Sequence, residues 1–329
     1  MKIPKTLLTV NSFILFTFIA PITYMLWRFV NFSRSISSFF QSWNVFGLMF
    51  NTISVFFAVV FTSVLVGLLI SIVTVRFEFK GSKILFTLCV LPLVIPSYIG
   101  ALTYISAFSP KGLFVQIFNR YGIEEIAGIE GFLGSWLVLT LFTYPYVQLI
   151  CSSALRNLDS TVEDAARSLG VNQFKVYTSV VIPRLKKPII YSSLLVGLYV
   201  ISDFGAVSLM RYSTVTKAIY AYYELSILSD PVIFYSSLLI VLALLISFIQ
   251  RGSATSRSAK VSGTPRIPKK VRLERNGKVL VYSFLGGIIF LGLIIPVAVL
   301  GFWLFRGLYY GTDLTSSIPG ILEIGRAHV

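Results

Sequence analysis

Apolar residues in this chain do not alternate with polar ones. They gather in long runs separated by short charged segments. A hydrocarbon layer of roughly 30 Å takes about 20 consecutive apolar residues in a helix. Residues 7–29, 48–75, 84–108, 132–155, 188–207, 232–249 and 279–305 meet that length. A membrane β-strand would alternate over about 10 positions, whereas every residue from 238 to 246 is apolar. The pattern predicts an all-α integral membrane protein, a multi-span helical bundle. Lys2 and Lys5 precede the first run as they would in a secretory signal, but the run is too long and has no small-residue cleavage pattern before Arg28. It is therefore kept as a span.

Composition changes the picture only through where the charge sits. A net charge of +15 in a soluble protein would suggest nucleic acid. Here 20 of the 28 Lys and Arg residues lie before residue 7 or in segments 76–83, 156–187 and 251–278, and the alternate segments hold two each. This is the positive-inside asymmetry. It predicts a cytoplasmic amino terminus, three basic cytoplasmic loops and no nucleic-acid partner. Cys89 and Cys151 both fall inside predicted spans, where they serve as small apolar fillers rather than metal ligands or a disulfide.

Segment 251–278 is rich in Ser, Gly, Pro, Lys and Arg and reads as a cytoplasmic linker joining two membrane units near the lipid headgroups. After it the chain begins again, since Pro21, Trp27 and Arg28 of the first run are echoed by Pro296, Trp303 and Arg306 of the last. The expected organisation is a six-span unit over 1–250, the linker, and the start of a second unit over 279–323 with one span, which implies a truncated second half. Residues 324–329, Ile-Gly-Arg-Ala-His-Val, match the translation of a sequencing adapter and are set aside. They contain His328, the only histidine, so histidine chemistry has no other candidate.

The most informative loop is 156–187. Residues 161–170 read Thr-Val-Glu-Asp-Ala-Ala-Arg-Ser-Leu-Gly. A cap anywhere from Asp159 to Thr161, acids Glu163 and Asp164 in the first turn, and Gly170 at the end describe a short helix outside the membrane. Ala165, Ala166 and Leu169 fall on one side of it, and a second stretch leads through Pro183 to the next span. The simplest role is an amphipathic connector.

The spacing resembles the Glu-Ala-Ala loop of binding-protein-dependent ABC importer permeases. Asp164-Ala165-Ala166, Gly170, Val180, Ile182 and Pro183 occupy its positions, with Asp164 for Glu, Val180 for Ile and Ile182 for Leu. The resemblance covers residues 48–249 and implies a type I permease fold. The helix then docks on a separate ABC ATPase present in two copies, through Glu163 or Asp164, Ala165, Ala166, Leu169, Gly170 and Pro183. It further implies an extracytoplasmic substrate-binding protein, a bacterial inner-membrane location, contact with lipid, and no catalysis by this chain. In keeping with that, the sequence has no glycine-rich phosphate loop ending in Gly-Lys-Ser or Gly-Lys-Thr. No cofactor or metal is expected on this chain, and ATP is used by the partner.

Residues 201–211, with Asp203, and Thr216–Tyr220 resemble the fused two-unit ferric iron permeases. This implies ferric iron as cargo, with thiamine, polyamines, sulfate or phosphonate as alternatives on the same machinery and a secondary transporter as the rival class. Asp203 is either an acid on the cation path or the side chain of a turn near Gly205, with Arg211 available to neutralise it. Tyr220 and Tyr223 read as interfacial anchors. Pro92, Pro96 and Pro145 read as kinks.

Overall fold

A backbone in lipid must satisfy its polar groups internally, and this chain does so almost wholly as helices. The computed structural model describes residues 5–30, 44–108, 112–119, 128–158, 161–225, 230–254 and 270–309. The helices are α1 (Lys5–Val30), α2 (Val45–Arg76), α3 (Ser82–Val90), α4 (Ser97–Phe108), α5 (Leu113–Asn119), α6 (Gly131–Arg156), α7 (Thr161–Ser168), α8 (Gln173–Val176), α9 (Lys186–Ser202), α10 (Gly205–Leu209), α11 (Val215–Leu225), α12 (Asp230–Ala254), α13 (Arg275–Ile289) and α14 (Ile295–Tyr309). π-helical turns at Tyr177–Val181 and Phe290–Ile294 follow α8 and α13. Two-residue strands β1 (Phe77–Glu78) and β2 (Val271–Arg272) pair in parallel, with Phe77 opposite Val271.

Stretches Val45–Arg76, Gly131–Arg156, Asp230–Phe248 and Arg275–Tyr309 are each long and apolar enough to cross a membrane unbroken. The first predicted span is α1, whose apolar stretch Thr9–Met25 is shorter. Three sequence expectations need correction. The third span is not one helix: a 3-10 turn at Leu91–Val94 ends α3, and the chain bends by 95° before α4. Pro92 and Pro96, which lack the N–H that a continuing helix needs, flank the bend. The fifth span stops at Ser202, so Val207 belongs to the separate short helix α10. Helical structure also enters both ends of the predicted linker, since α12 runs to Ala254 and α13 begins at Arg275. Pro145 lies within an unbroken α6. Linker residues 255–269, and residues 310–329 with the expected remainder of the second unit and the adapter segment, lie outside the described residues.

The centre of the bundle is the α2–α6 pair. Lipid gives little hydrophobic reason for two helices to associate, so close packing and hydrogen bonds must do it. Ser63, Gly67 and Ser71 repeat every fourth residue along α2. Ser63 Oγ bonds Thr143 Oγ1 at 2.9 Å, and Ser71 Oγ donates to the Gln148 carbonyl at 3.0 Å. At Gly67 a Cβ would lie 2.7 Å from the Tyr144 carbonyl oxygen and from Val147 Cβ. The main core then gathers Val55, Phe56 and Val59 of α2, Ala101 and Tyr104 of α4, Val138 and Phe142 of α6, and Val196 and Val200 of α9. On the other side of α2, Phe50, Phe57 and Phe61 form an exposed stripe suited to lipid.

Helix α6 also repairs the broken third span. Tyr144 Oη donates to the Cys89 carbonyl at 2.8 Å and Gln148 Nε2 to the Phe86 carbonyl at 3.0 Å. The chain after the linker is tied to the same region. Tyr104 Oη donates to the Leu291 carbonyl at 2.7 Å, Tyr282 Oη donates to the Lys80 carbonyl at 2.8 Å, and Ile295 and Val299 enter the main core. Both cysteines are buried and unbridged, as apolar fillers would be.

Gly67→Val should lower stability by about 1–3 kcal/mol, because backbone rather than a flexible side-chain tip blocks the new atoms. Thermal unfolding in detergent measures this. A Tm equal to that of the unsubstituted chain would mean that α2 and α6 are not so closely opposed.

Candidate coupling site

Helix α7 is short and polar, and its end is defined by backbone geometry. Gly170 has φ +76°, the left-handed region, and no heavy atom lies within 4 Å of where its Cβ would be. Glycine is needed there for torsion rather than for space. The Val171 N–H bonds back to the Ala166 carbonyl at 3.2 Å, closing the six-residue loop of a Schellman cap. Of the predicted start, Asp159 lies outside the described residues.

The two acids of α7 have opposite surroundings. Glu163 is fully buried and accepts from Arg76 Nη2 at 2.6 Å. Arg76, 1% exposed, is the last residue of α2. Asp164 is exposed, as are Ala165 and Leu169, the latter 83% accessible, while Ala166 is half-buried. The ion pair therefore faces the bundle and the small-residue side with Asp164 faces away. Of the three residues expected on one side of the helix, Ala165 and Leu169 are exposed and Ala166 is half-buried.

The second half of the loop is held by packing. Tyr177, Val181 and Leu185, four residues apart, bury against Ile72 of α2 and Leu155 of α6. The Tyr177 and Phe77 rings lie 5.9 Å apart. At Leu185 the chain turns by 62° into α9. Pro183 is exposed on the outer side of this turn, and Val180 and Ile182 are only half-buried.

Asp203 sits where α9 stops. Its Oδ1 accepts from the Ala206 N–H at 2.9 Å, with the Val207 N–H at 3.4 Å, so it caps α10. Its Oδ2 accepts from Ser97 Oγ at 2.5 Å, at the first residue of α4. Its backbone carbonyl accepts from Thr216 Oγ1 at 2.8 Å. The carboxylate thus serves two helix starts, where the dipole favours negative charge. Arg211 does not neutralise it: that guanidinium bonds Glu130 Oε2 at 3.2 Å, an exposed pair. Close approach completes the knot, since a Cβ on Gly205 would lie 2.7 Å from Tyr98 Cβ. Tyr220 and Tyr223 are about half exposed on α11, while Val215 beneath them is buried.

A family model described as the binding-protein-dependent transport system inner membrane component matches residues 63–256, which include α7, its cap and the Asp203 knot. The chain belongs to this family. Among relatives of this transport component, the Fe(3+)-transport system permease protein FbpB 2 of Haemophilus influenzae is 28% identical over 282 residues, covering 84% of this chain and 52% of that protein. The sulfate transport system permease protein CysT of Salmonella typhimurium is 28% identical over 155 residues, covering 47% of this chain and 54% of that one. The chain spans about half the length of these curated relatives. A bacterial alginate ABC transporter solved with its pentasaccharide-bound periplasmic protein contains a chain of the same fold, with TM-score 0.62, 14% identity, and 76% and 93% of the two chains covered. The transport component thus has the all-α fold of the type I ABC importer permeases.

Sequence reasoning found the loop but missed what anchors it. Arg76 counts in the sequence only as one more basic loop residue, and the buried series Tyr177, Val181 and Leu185 is not singled out there. The four-residue spacing of that series was the available signal.

Two outcomes are expected. Glu163→Ala, which leaves Arg76 buried without its carboxylate, should cost about 3–5 kcal/mol locally and speed amide exchange across α7 and α8, whereas Asp164→Ala should leave exchange unchanged. Equal exchange in both would remove the anchor. Asp203→Asn should keep nearly the native Tm and Asp203→Ala lose about 1 kcal/mol, because Asn caps a helix as well as Asp does. A large loss in Asn alone would return the charge itself to importance.

Proposed function

We propose that this chain is the membrane permease of an ATP-driven importer, and that α7 is its coupling helix. The observation that carries the reading is the division of labour on α7: Glu163 is locked to Arg76 inside, leaving Asp164, Ala165 and Leu169 outward. That outward surface is small, apolar and acidic at one edge, suited to a cleft in a cytoplasmic ATPase of which two copies act together. The ATPase binds and hydrolyses ATP, and this chain converts its closure into movement of the spans. Lys and Arg placement supports a cytoplasmic amino terminus and a cytoplasmic α7. An extracytoplasmic binding protein supplies the cargo on the opposite face.

The cargo we infer is ferric iron. What supports it is the extent of similarity to the Haemophilus influenzae Fe(3+) permease, 84% of this chain, against roughly half for the sulfate permeases. Sulfate is the second reading, on the strength of those shorter matches. Asp203 is given no part in binding cargo, because both of its oxygens are used within the fold.

In proteoliposomes with the cognate ATPase and binding protein, Leu169→Asp and Asp164→Lys should each reduce ATP-driven uptake at least about tenfold while leaving the fold intact, a loss of about 1.4 kcal/mol in coupling. Radiolabelled ferric iron and sulfate are compared as cargoes. Normal uptake in both variants would remove α7 from the coupling role, and uptake of sulfate alone would replace the iron assignment. Uptake that persists without ATP and follows the membrane potential would point to a secondary transporter.

A further inference from the structure

Beside the coupling loop, a cavity of about 470 Å³ opens where the end of α2, the start of α3 and the end of α6 meet. Lys83 of α3, Arg156 of α6 and Lys270 just before β2 line it, together with Thr74, Ser82 and Thr87, whose hydroxyls already donate to the Ile70, Thr74 and Lys83 carbonyls. All three cations are exposed to the opening, and none makes an ion pair with a described residue. Of the acids near them in sequence, Glu78 is engaged by Arg272, Glu274 makes no ion pair with any of the three, and Asp159 lies outside the described residues. In sequence, the predicted linker 251–278 carries nine Lys or Arg and a single acid, Glu274. Three like charges around one cavity repel each other unless an anion sits among them.

The site suits a phosphate. Helix α3 begins here with Ser82, after Gly81 at φ +79°, so the positive end of its dipole lies beside the cations, although the Ser82 N–H itself is bonded to the Phe79 carbonyl at 3.4 Å. Arg156 is held in place by stacking over the Phe86 ring, 5.2 Å from its centroid, which leaves its N–H edge open to an acceptor. From the mouth of the cavity a ridge of exposed apolar residues runs up the same broken span: Ile84, Leu91 and Val94, 66%, 37% and 78% exposed. A polar head lying in the cavity has an apolar path for its chains along that ridge. Free phosphate would have no use for it.

We propose that this cavity binds the headgroup phosphate of an anionic phospholipid, with Lys83, Arg156 and Lys270 as the cationic cradle and Ile84, Leu91 and Val94 as the acyl-chain track. The lipid lies at the foot of α2 and α6, the helices on which the coupling loop is seated. Naming the leaflet as cytoplasmic rests on the orientation given above; the binding itself does not.

The test uses the purified chain in detergent, titrated with phosphatidylglycerol, phosphatidylethanolamine or inorganic phosphate, with retained ligand read by native mass spectrometry. Phosphatidylglycerol should be retained in preference to phosphatidylethanolamine, and inorganic phosphate at the same concentration should not displace it. Lys270→Gln, an exposed change remote from the core, should weaken retention about fivefold, the size expected for one cation near an anionic lipid. Adding Lys83→Gln and Arg156→Gln should reduce it by more than about tenfold, and Lys83→Arg with Lys270→Arg should retain it. Equal retention of the two lipids, displacement by inorganic phosphate, or undiminished retention in Lys270→Gln would each overturn the proposal. The measurement needs neither ATPase nor cargo, so failure of the importer reading would show in uptake and leave this result standing.

Discussion

Burying a carboxylate and a guanidinium at the end of a membrane helix costs several kcal/mol each unless they meet with good geometry. Arg76 and Glu163 meet at 2.6 Å, and much of the candidate coupling site follows from that contact. It gives α7, a helix of eight residues with little apolar surface, a fixed orientation on a 32-residue span. With Glu163 turned inward, a period of 3.6 residues leaves Asp164, Ala165 and Leu169 on the outer surface. A polar connector thereby becomes a rigid extension of α2. A hydrophobic pair of the same volume would hold as strongly, but the ion pair also fixes which face turns out.

The same economy governs the rest of the bundle. Helix α6 packs on α2 through small residues and hydroxyls, and its Tyr144 and Gln148 satisfy carbonyls at the end of broken α3. Asp203 joins the two interrupted spans by capping α10 with one oxygen and holding Ser97 of α4 with the other. A break leaves backbone groups that lipid cannot satisfy; at the end of α3 they are met by Tyr144 and Gln148 of α6, and at the start of α10 by Asp203 itself. A force applied at α7 therefore reaches α2 through Arg76 and α6 and α9 through the Tyr177, Val181 and Leu185 packing.

Most of this fold was legible in the sequence because the bilayer imposes one strong rule, a sustained apolar run per helix. The rule locates runs but does not tell a straight helix from a bent one. Pro92 and Pro96 therefore read as kinks, although the chain turns by 95° there. Gly170 was legible as a helix stop because glycine's use in the left-handed region is local. The partner of Glu163 was not, since Arg76 lies 87 residues away in another charged segment. For the same reason Arg211 seemed placed to neutralise Asp203 by its nearness in sequence, whereas in space it meets Glu130.

The most direct test of the seat of α7 is a double-mutant cycle in which Arg76→Met and Glu163→Met are made singly and together, with unfolding free energy and coupled ATPase activity measured for each. The account expects each single change to be severe and the double change to recover a large part of the loss, giving an interaction of about 2–3 kcal/mol. Additive losses in both measurements would contradict it, because they would show that the two charges act independently and that α7 takes its position from something else.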